Sequence, residues 1–392
     1  MHLVLVTAYP PSQGTLNEYG FHLARVLESK PEITRLTILA DVLPTPSNDP
    51  AHVKRVWRFN DPRNTLHLQR ALREAKPDAV LFNLQFASFG DRKAAAALGL
   101  LAPVLSRLRG VPTITLLHNI FETVDLEKAG FGSNRLVNTV TRLAGGVFTR
   151  VLLGSNLVAL TMPRYVETLR EKYHARNVFL APHGAFQEPE PPVPLPATRT
   201  VMTFGKFGTY KRVEVLIEAH KLLLELDPQV RLVIAGSDSP NAKGYLEEMR
   251  QRYSSVPNVT YTGYVSEEDV PRIFAECSAV AFPYNSTTGS SGVLHQAGEY
   301  ARAAVMPRIG DLADLIEQEG YRAEYFEPDD AASLAAALWR VIERPEDARE
   351  LGLANYLAAS GLPLSDIADW YLLHFQRLHS LKEPHEYRQN PA

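Results

Sequence analysis

Two lysines five residues apart pose the first chemical question. In "FGKFGTYKR", Gly205 ends a β-branched apolar run, Lys206 follows it, and Lys211 stands where a helical pattern begins. Two ammonium groups at a strand end and a helix start can converge on a diphosphate, each kept charged by the anion. Two solvated surface lysines would show the same spacing. A second stretch, "TGSSGVLHQAGE" at residues 288–299, brings Ser290, Ser291, Gly292 and Val293 to a helix start. Hydroxyls and backbone amides there favour an anion, as does the helix dipole, although a serine that merely caps the helix reads alike. Gly14, in "YPPSQGTLNEYGFHLARVL", occupies a tight turn between the first strand and the first helix. It too can receive an anion, but it lacks the G-x-G-x-x-G fingerprint and also fits an ordinary βα turn.

His118 closes "TITLLHN" at the carboxyl end of a strand pattern. From there a histidine can reach a cleft, as a hydrogen-bond donor to a sugar hydroxyl or as a proton carrier. His183, in "APHGAF", is expected to shape a hinge. The sequence has no His-x-x-x-His, no cysteine cluster, no Asp-x-Asp, no Walker loop and no G-x-S-x-G elbow. Zinc chemistry, a carboxylate clamp for a metal-bound nucleotide and a serine nucleophile therefore find no residues, and chemistry without a bound metal or cofactor is expected.

These residues need a scaffold. Short apolar runs ("LVLVTA", "RLTILA", "AVLFNL", "TITLLH", "LVALTM", "VFLAPHG") alternate with helical stretches such as "YGFHLARVLESK" and "HLQRALREAK". That rhythm predicts a mainly parallel sheet covered on both faces. Pro189, Pro191, Pro192, Pro194 and Pro196 then interrupt any helix or central strand, which predicts a linker over 189–197. The rhythm resumes with "TVMTFGK", "VRLVIAGS", "NVTYTGYV" and "AVAFPYN", and with helices near 212–226, 243–253 and 267–277. The fold class expected is α/β, with two Rossmann-like domains (1–188 and 198–364) facing each other across a cleft, and ligands at the carboxyl ends of the strands. A last helix, 365–392, is expected to pack back on the first domain.

The 392 residues, 45% hydrophobic and 22% charged with a net charge of −3, suit a globular protein and give no reason to expect nucleic acid as a partner. Cys277 is the sole cysteine, which points to a reducing, cytoplasmic setting. The N-terminal "MHLVLVTAYPP" reads as a buried strand rather than a signal peptide, and no apolar run nears the ~20 residues of a membrane span. "NRLVNTVTRLAGGVFTRVLL" sets Arg135, Arg142 and Arg150 among apolar residues. That pattern fits a core-facing helix with a solvated arginine edge, or a peripheral contact with an anionic membrane.

Taken together, the chain resembles the retaining, nucleotide-sugar-dependent glycosyltransferases of GT-B fold, the bacterial group 1 type, over nearly its whole length. The likeness rests on the Gly14 loop, on "FGKFGTYKRVEVLIEAH", on "LVIAGS" followed by "VTYTGYVSEEDVPRIFAECSAVAFPY", and on "IGDLADLI", "YFEPDDAASLAAALWRVI" and "DWYLLHFQRL". It implies that Gly14, Lys206 and Lys211 contact a donor diphosphate and that Ser291–Val293 hold the distal phosphate. It further implies that Tyr264 and Val265 border the nucleobase and that His118 faces the transferred sugar. The implied partners are a nucleotide-sugar donor and a glycan or lipid-linked acceptor. Three departures stand out: lysine at 206 where arginine is usual, Arg212 where glycine is usual, and Thr288 and Gln296 where the family carries two glutamates. Glutamine can still bond ribose hydroxyls through its amide. In such enzymes the leaving diphosphate is held to take the acceptor's proton, so the missing glutamates do not forbid transfer. A GT-B phosphorylase or isomerase, or a nucleotide- or glycan-binding protein without turnover, are the alternatives.

Overall fold

The computed structural model describes residues 1–12, 14–123, 135–239, 242–286 and 289–381, the side chains of 135–141 excepted. Thr288, the side chain of Arg135 and the end of the last helix lie outside the described residues. The described residues of Met1–Val124, Ser133–His183 and Leu364–Ala392 make one compact unit, and those of Gly184–Pro363 make the other.

The first unit carries seven strands: β1 (His2–Val6), β2 (Arg35–Asp41), β3 (Val53–Trp57), β4 (Ala79–Leu84), β5 (Thr113–Leu117), β6 (Leu157–Leu160) and β7 (Val178–Leu180). They pair in parallel in the order β3-β2-β1-β4-β5-β6-β7. β4 and β5 are buried at every position, as expected of apolar runs covered by helices on both faces. β3 was not anticipated. Its "VKRVW" is short and half basic, the composition of an edge strand with only Val53 and Trp57 buried. The helix Asn17–Ser29 lies very close to β1: a Cβ on Gly20 would stand 2.3 Å from Thr7 Oγ1. The helix Leu364–Ser380 packs in this unit beside it, with Tyr371 and Tyr19 both buried.

The second unit carries β8 (Thr200–Phe207), β9 (Arg231–Asp238), β10 (Val259–Gly263), β11 (Ala279–Ala281), β12 (Ala303–Pro307) and β13 (Ala323–Phe326). All are parallel, in the order β10-β9-β8-β11-β12-β13. β12 and β13 were not anticipated either, because "AAVMP" and "AEYF" lack a run of β-branched residues. In each sheet the order reverses beside the first strand, between β1 and β4 and between β8 and β11. Such a reversal opens a crevice at the carboxyl ends of the strands, where ligands of this architecture bind.

Residues 186–193 are bound to the second unit rather than hanging free. The amides of Phe186 and Gln187 donate to the Glu299 carboxyl, Tyr356 Oη donates to Pro189 O (3.2 Å), and Arg302 Nη1 donates to Val193 O (3.4 Å). Proline cannot donate to a ladder, so the carbonyls of such a stretch take side-chain donors instead. Arg302 is fully buried, and its other nitrogens donate to the carbonyls of Phe274 and Ala275.

Among the described residues no helix is long and apolar enough to cross a membrane. In the helix Arg135–Leu152, Arg142 and Arg150 are exposed beside Leu143 (68% exposed) and Val147 (55%).

Candidate functional site

Lys211 follows β8 at the crevice of the second sheet. It pairs through an antiparallel bridge with Tyr284, and its Nζ lies 4.9 Å from the centre of that ring. Together with Tyr210, Tyr284 and residues 289–293 it lines a cavity of about 90 Å³. The helix Gly292–Glu299 starts at this cavity, with Ser291 as its N-cap in extended conformation and without a side-chain cap bond. Its first amides have no carbonyl within the helix and point outward, so the positive end of the helix faces the same space as the ammonium group. Ser290 Oγ is buried without a hydrogen-bond partner among the described residues. The Ser291 hydroxyl bonds Tyr284, and burial raises the phenol's pKa, which keeps it a neutral donor. A cation, a spare hydroxyl and a helix start around so small a space make a site for one anionic group.

Two features set the shape of this site. Gly289 takes a φ of +88°, and its amide donates to Asp311 Oδ2 at 2.9 Å, which fixes the loop before Ser290. Gly205 faces Gly236 across β8 and β9, both at positive φ, and a Cβ on Gly236 would meet Gly205 O at 1.9 Å. A Cβ on Gly205 would meet Lys211 Nζ at 2.6 Å, so the absence of a side chain at 205 leaves room for the ammonium. Sequence reading missed Gly236 and Asp311. The signal available for Gly236 was a glycine inside a strand pattern, which often marks a close backbone approach.

The remaining predicted residues are dispersed. Lys206 sits one residue beyond Gly205 in β8, opposite Ser237 of β9, and does not line the cavity. Arg212 is turned to Glu214 and Asp329 and leaves the cavity to Lys211. Gln296 is buried in the helix Gly292–Glu299. Tyr264 (45% exposed) and buried Val265 line a different cavity, about 410 Å³, with Thr260, Thr262 and Ile273. Gly14 and His118 belong to the first unit. The Gly14 amide donates to Ser12 Oγ (3.0 Å), which itself donates to Asp41, so this amide is already committed and a carboxylate stands behind it. Arg55 braces the turn by donating to Tyr9 O (2.7 Å), Pro10 O (2.6 Å) and Asp49. His118 is buried beside Tyr19 (ring centres 4.5 Å) and His183 (6.0 Å), and its Nε2 lies 2.7 Å from Asn83 Oδ1. Burial, with a smaller contribution from His183, holds its pKa well below the usual histidine range, so the ring is neutral.

Glu299 does not replace the glutamate missing at 296, because its carboxyl is spent on the amides of Phe186 and Gln187. Burial pushes it to about 8, and burial likewise pushes Glu319 to about 8, beside His295. Both acids therefore keep a proton in the folded state that an unfolded glutamate, with its ordinary value near 4.5, has lost. Stability linked to them is full below about pH 4.5 and falls as pH rises towards 8, since the native state binds more protons. Thermal melts between pH 6 and 8 are expected to fall with pH, and Glu299→Gln and Glu319→Gln are each expected to flatten that slope. An unchanged slope in both variants would contradict the assignment.

Comparison with known proteins places this arrangement. Residues 198–344 match the model described as glycosyl transferases group 1. The chain is 26% identical to O-antigen chain mannosyltransferase C of Escherichia coli over 149 residues, 38% of each chain. It spans less than half the length of the curated relatives it matches. Among solved structures, sucrose-phosphate synthase from Thermosynechococcus elongatus aligns with a TM-score of 0.73 at 17% identity, over 97% of this chain and 100% of that one. HepE from Anabaena, solved in complex with UDP-glucose, aligns with a TM-score of 0.67 at 15% identity, over 96% and 100%. At such identities these two likenesses speak for the fold, which is the GT-B architecture.

Proposed function

We propose that this chain, whose residues 198–344 match the group 1 glycosyltransferases, moves a sugar from a nucleotide-sugar donor to a glycan or lipid-linked acceptor, with retention at the anomeric carbon. The observation that carries the proposal is the small cavity in which Lys211, Ser290 and the start of the helix Gly292–Glu299 meet. In this reading the distal phosphate of the donor occupies that cavity. Charge that grows on the diphosphate as the glycosidic bond breaks is stabilised there by groups already in position, which is the largest lever such a site has. The leaving phosphate oxygen takes the acceptor hydroxyl's proton on the same face of the sugar, so neither a carboxylate nucleophile nor a metal is assigned a role. Gln296 bonds the ribose, Tyr264 and Val265 border the base, and His118 faces the transferred sugar. An anionic membrane, met through the helix Arg135–Leu152, is the proposed peripheral contact.

A second reading has one observation in its favour. With Glu299 bound to the backbone at 186–187, it does not replace the glutamate pair, and a protein that holds its nucleotide sugar without turnover would look the same. A panel of nucleotides and nucleotide sugars, UDP-glucose among them, separates the two. A true donor at 100 times its dissociation constant is expected to stabilise the protein by about 2.7 kcal/mol in a thermal melt, and slow donor hydrolysis is expected to accompany it. Stabilisation without any sugar release, with or without acceptors, would favour the second reading. No stabilisation by any member would remove both.

A further inference from the structure

The Thr7 hydroxyl donates to Ala8 O (2.9 Å), which leaves its lone pairs to accept. Asn83 Nδ2 donates to that oxygen at 2.9 Å, so the amide of Asn83 is held one way round, with Oδ1 turned to His118. A carbonyl oxygen can only accept, and His118 Nε2 at 2.7 Å must therefore carry the proton. We propose that Asn83, oriented by Thr7, is a positioning residue that fixes His118 as the Nε2–H tautomer and thereby presents its Nδ1 lone pair, an acceptor, to a hydroxyl of the transferred sugar. The inference rests on the reading of His118 given above and changes its role from donor or proton carrier to acceptor.

Every member of the relay sits in a fixed frame. Asn83 and Thr7 are buried at the carboxyl ends of β4 and β1, on either side of the point where the strand order reverses, and His118 follows the neighbouring β5. Gly20 keeps the helix Asn17–Ser29 tight against Thr7, so the hydroxyl has no room to swing. Among the described residues the titratable groups packed on the ring are buried Tyr19, which burial keeps neutral, and His183. Neither would draw a second proton onto His118, as a carboxylate would. No hydrogen-bond partner for Nδ1 is found among the described residues, and Nδ1 is not among the fully buried polar atoms that lack one.

The test is ¹⁵N NMR of the imidazoles of the full chain, paired with turnover on the donor identified by the melts. The wild type is expected to show His118 neutral, protonated at Nε2, through the neutral range. Asn83→Asp places a carboxylate against Nε2 and is expected to yield an imidazolium at neutral pH. Turnover is then expected to fall by about tenfold or more, the rate equivalent of one hydrogen bond, and to recover as pH rises and the ring sheds its proton. Thr7→Val frees the Asn83 amide to turn over and is expected to give a mixture of tautomers in a folded protein. An Nδ1–H tautomer in the wild type, or an unchanged His118 signal in Asn83→Asp, would overturn the relay. The expected signals with turnover unaffected would overturn the placement of His118 at the sugar, and leave nucleotide binding in the second unit untouched.

Discussion

Replacing Lys211 with methionine is expected to lower turnover by roughly 10² to 10³-fold while the second unit keeps its fold. The size follows from what the ammonium would do: it is a preorganised positive charge beside a leaving diphosphate, at the mouth of a helix whose dipole points the same way. Methionine retains most of the stem that packs on Tyr284, so the change removes charge rather than volume. Alanine at 211 would combine both losses and leave a cavity against the ring. The measurement is kcat on the identified donor, with a thermal melt of the same sample. Lys206→Ala is the control for geometry: Lys206 does not line the cavity, so its loss is expected to cost less than that of Lys211. Full activity in both variants would remove the diphosphate from this corner of the sheet.

Gly236→Ala is expected to destabilise the second unit by about 3 kcal/mol or more, at or beyond the upper end of what overpacking costs. The added methyl would lie 1.9 Å from Gly205 O and 2.9 Å from Gly205 C, which are backbone atoms that cannot rotate aside, and φ at 236 is +137°. Relief requires β8 and β9 to part where Gly205 pairs with Gly236, one residue from Lys206. Gly205→Ala poses a softer conflict, because its nearest neighbour is the mobile end of Lys211. That variant is expected to fold less stably than wild type but to fold, with Lys211 displaced and turnover reduced. Denaturant unfolding of both proteins makes the comparison, and a midpoint for Gly236→Ala equal to that of wild type would show that the two strands can part at little cost.

The glutamate pair frames how far this chain departs from the group 1 pattern that its residues 198–344 match. Gln296 is buried in the helix that begins at the small cavity, so an amide rather than a carboxylate stands at this position, where the proposed function has it bond the ribose. Arg212 is engaged by Glu214 and Asp329, Glu299 by the backbone of 186–187, and Asp311 by the Gly289 amide, so none of these three charges stands in for the pair. What remains is an arrangement of Lys211, a helix start and hydroxyls that suits a negative charge.

The alternation of strands and helices was legible in the sequence because a strand buried on both faces must carry an apolar run, and β1, β2, β4, β5, β8 and β9 each do, with polar residues such as Arg35, Asp41 and Lys206 at or near their ends. Edge strand β3 and the alanine-rich β12 escaped, since a strand half in solvent, or one built of small side chains, carries no such signature. Lys211 and Ser290–Val293 were legible for a different reason: strand-end and helix-start positions follow from local spacing, and spacing is a property of the chain. What the tertiary structure decided is which of these meet. It put Lys211 beside Ser290 but Tyr264 in another cavity, and spent the Gly14 amide on Ser12. It also joined Thr7, Asn83 and His118, 76 and 35 residues apart along the chain, into one directed run of hydrogen bonds. Contacts of that kind depend on strand order and register, which are set by the packing of whole elements and leave no local trace in the residues that make them.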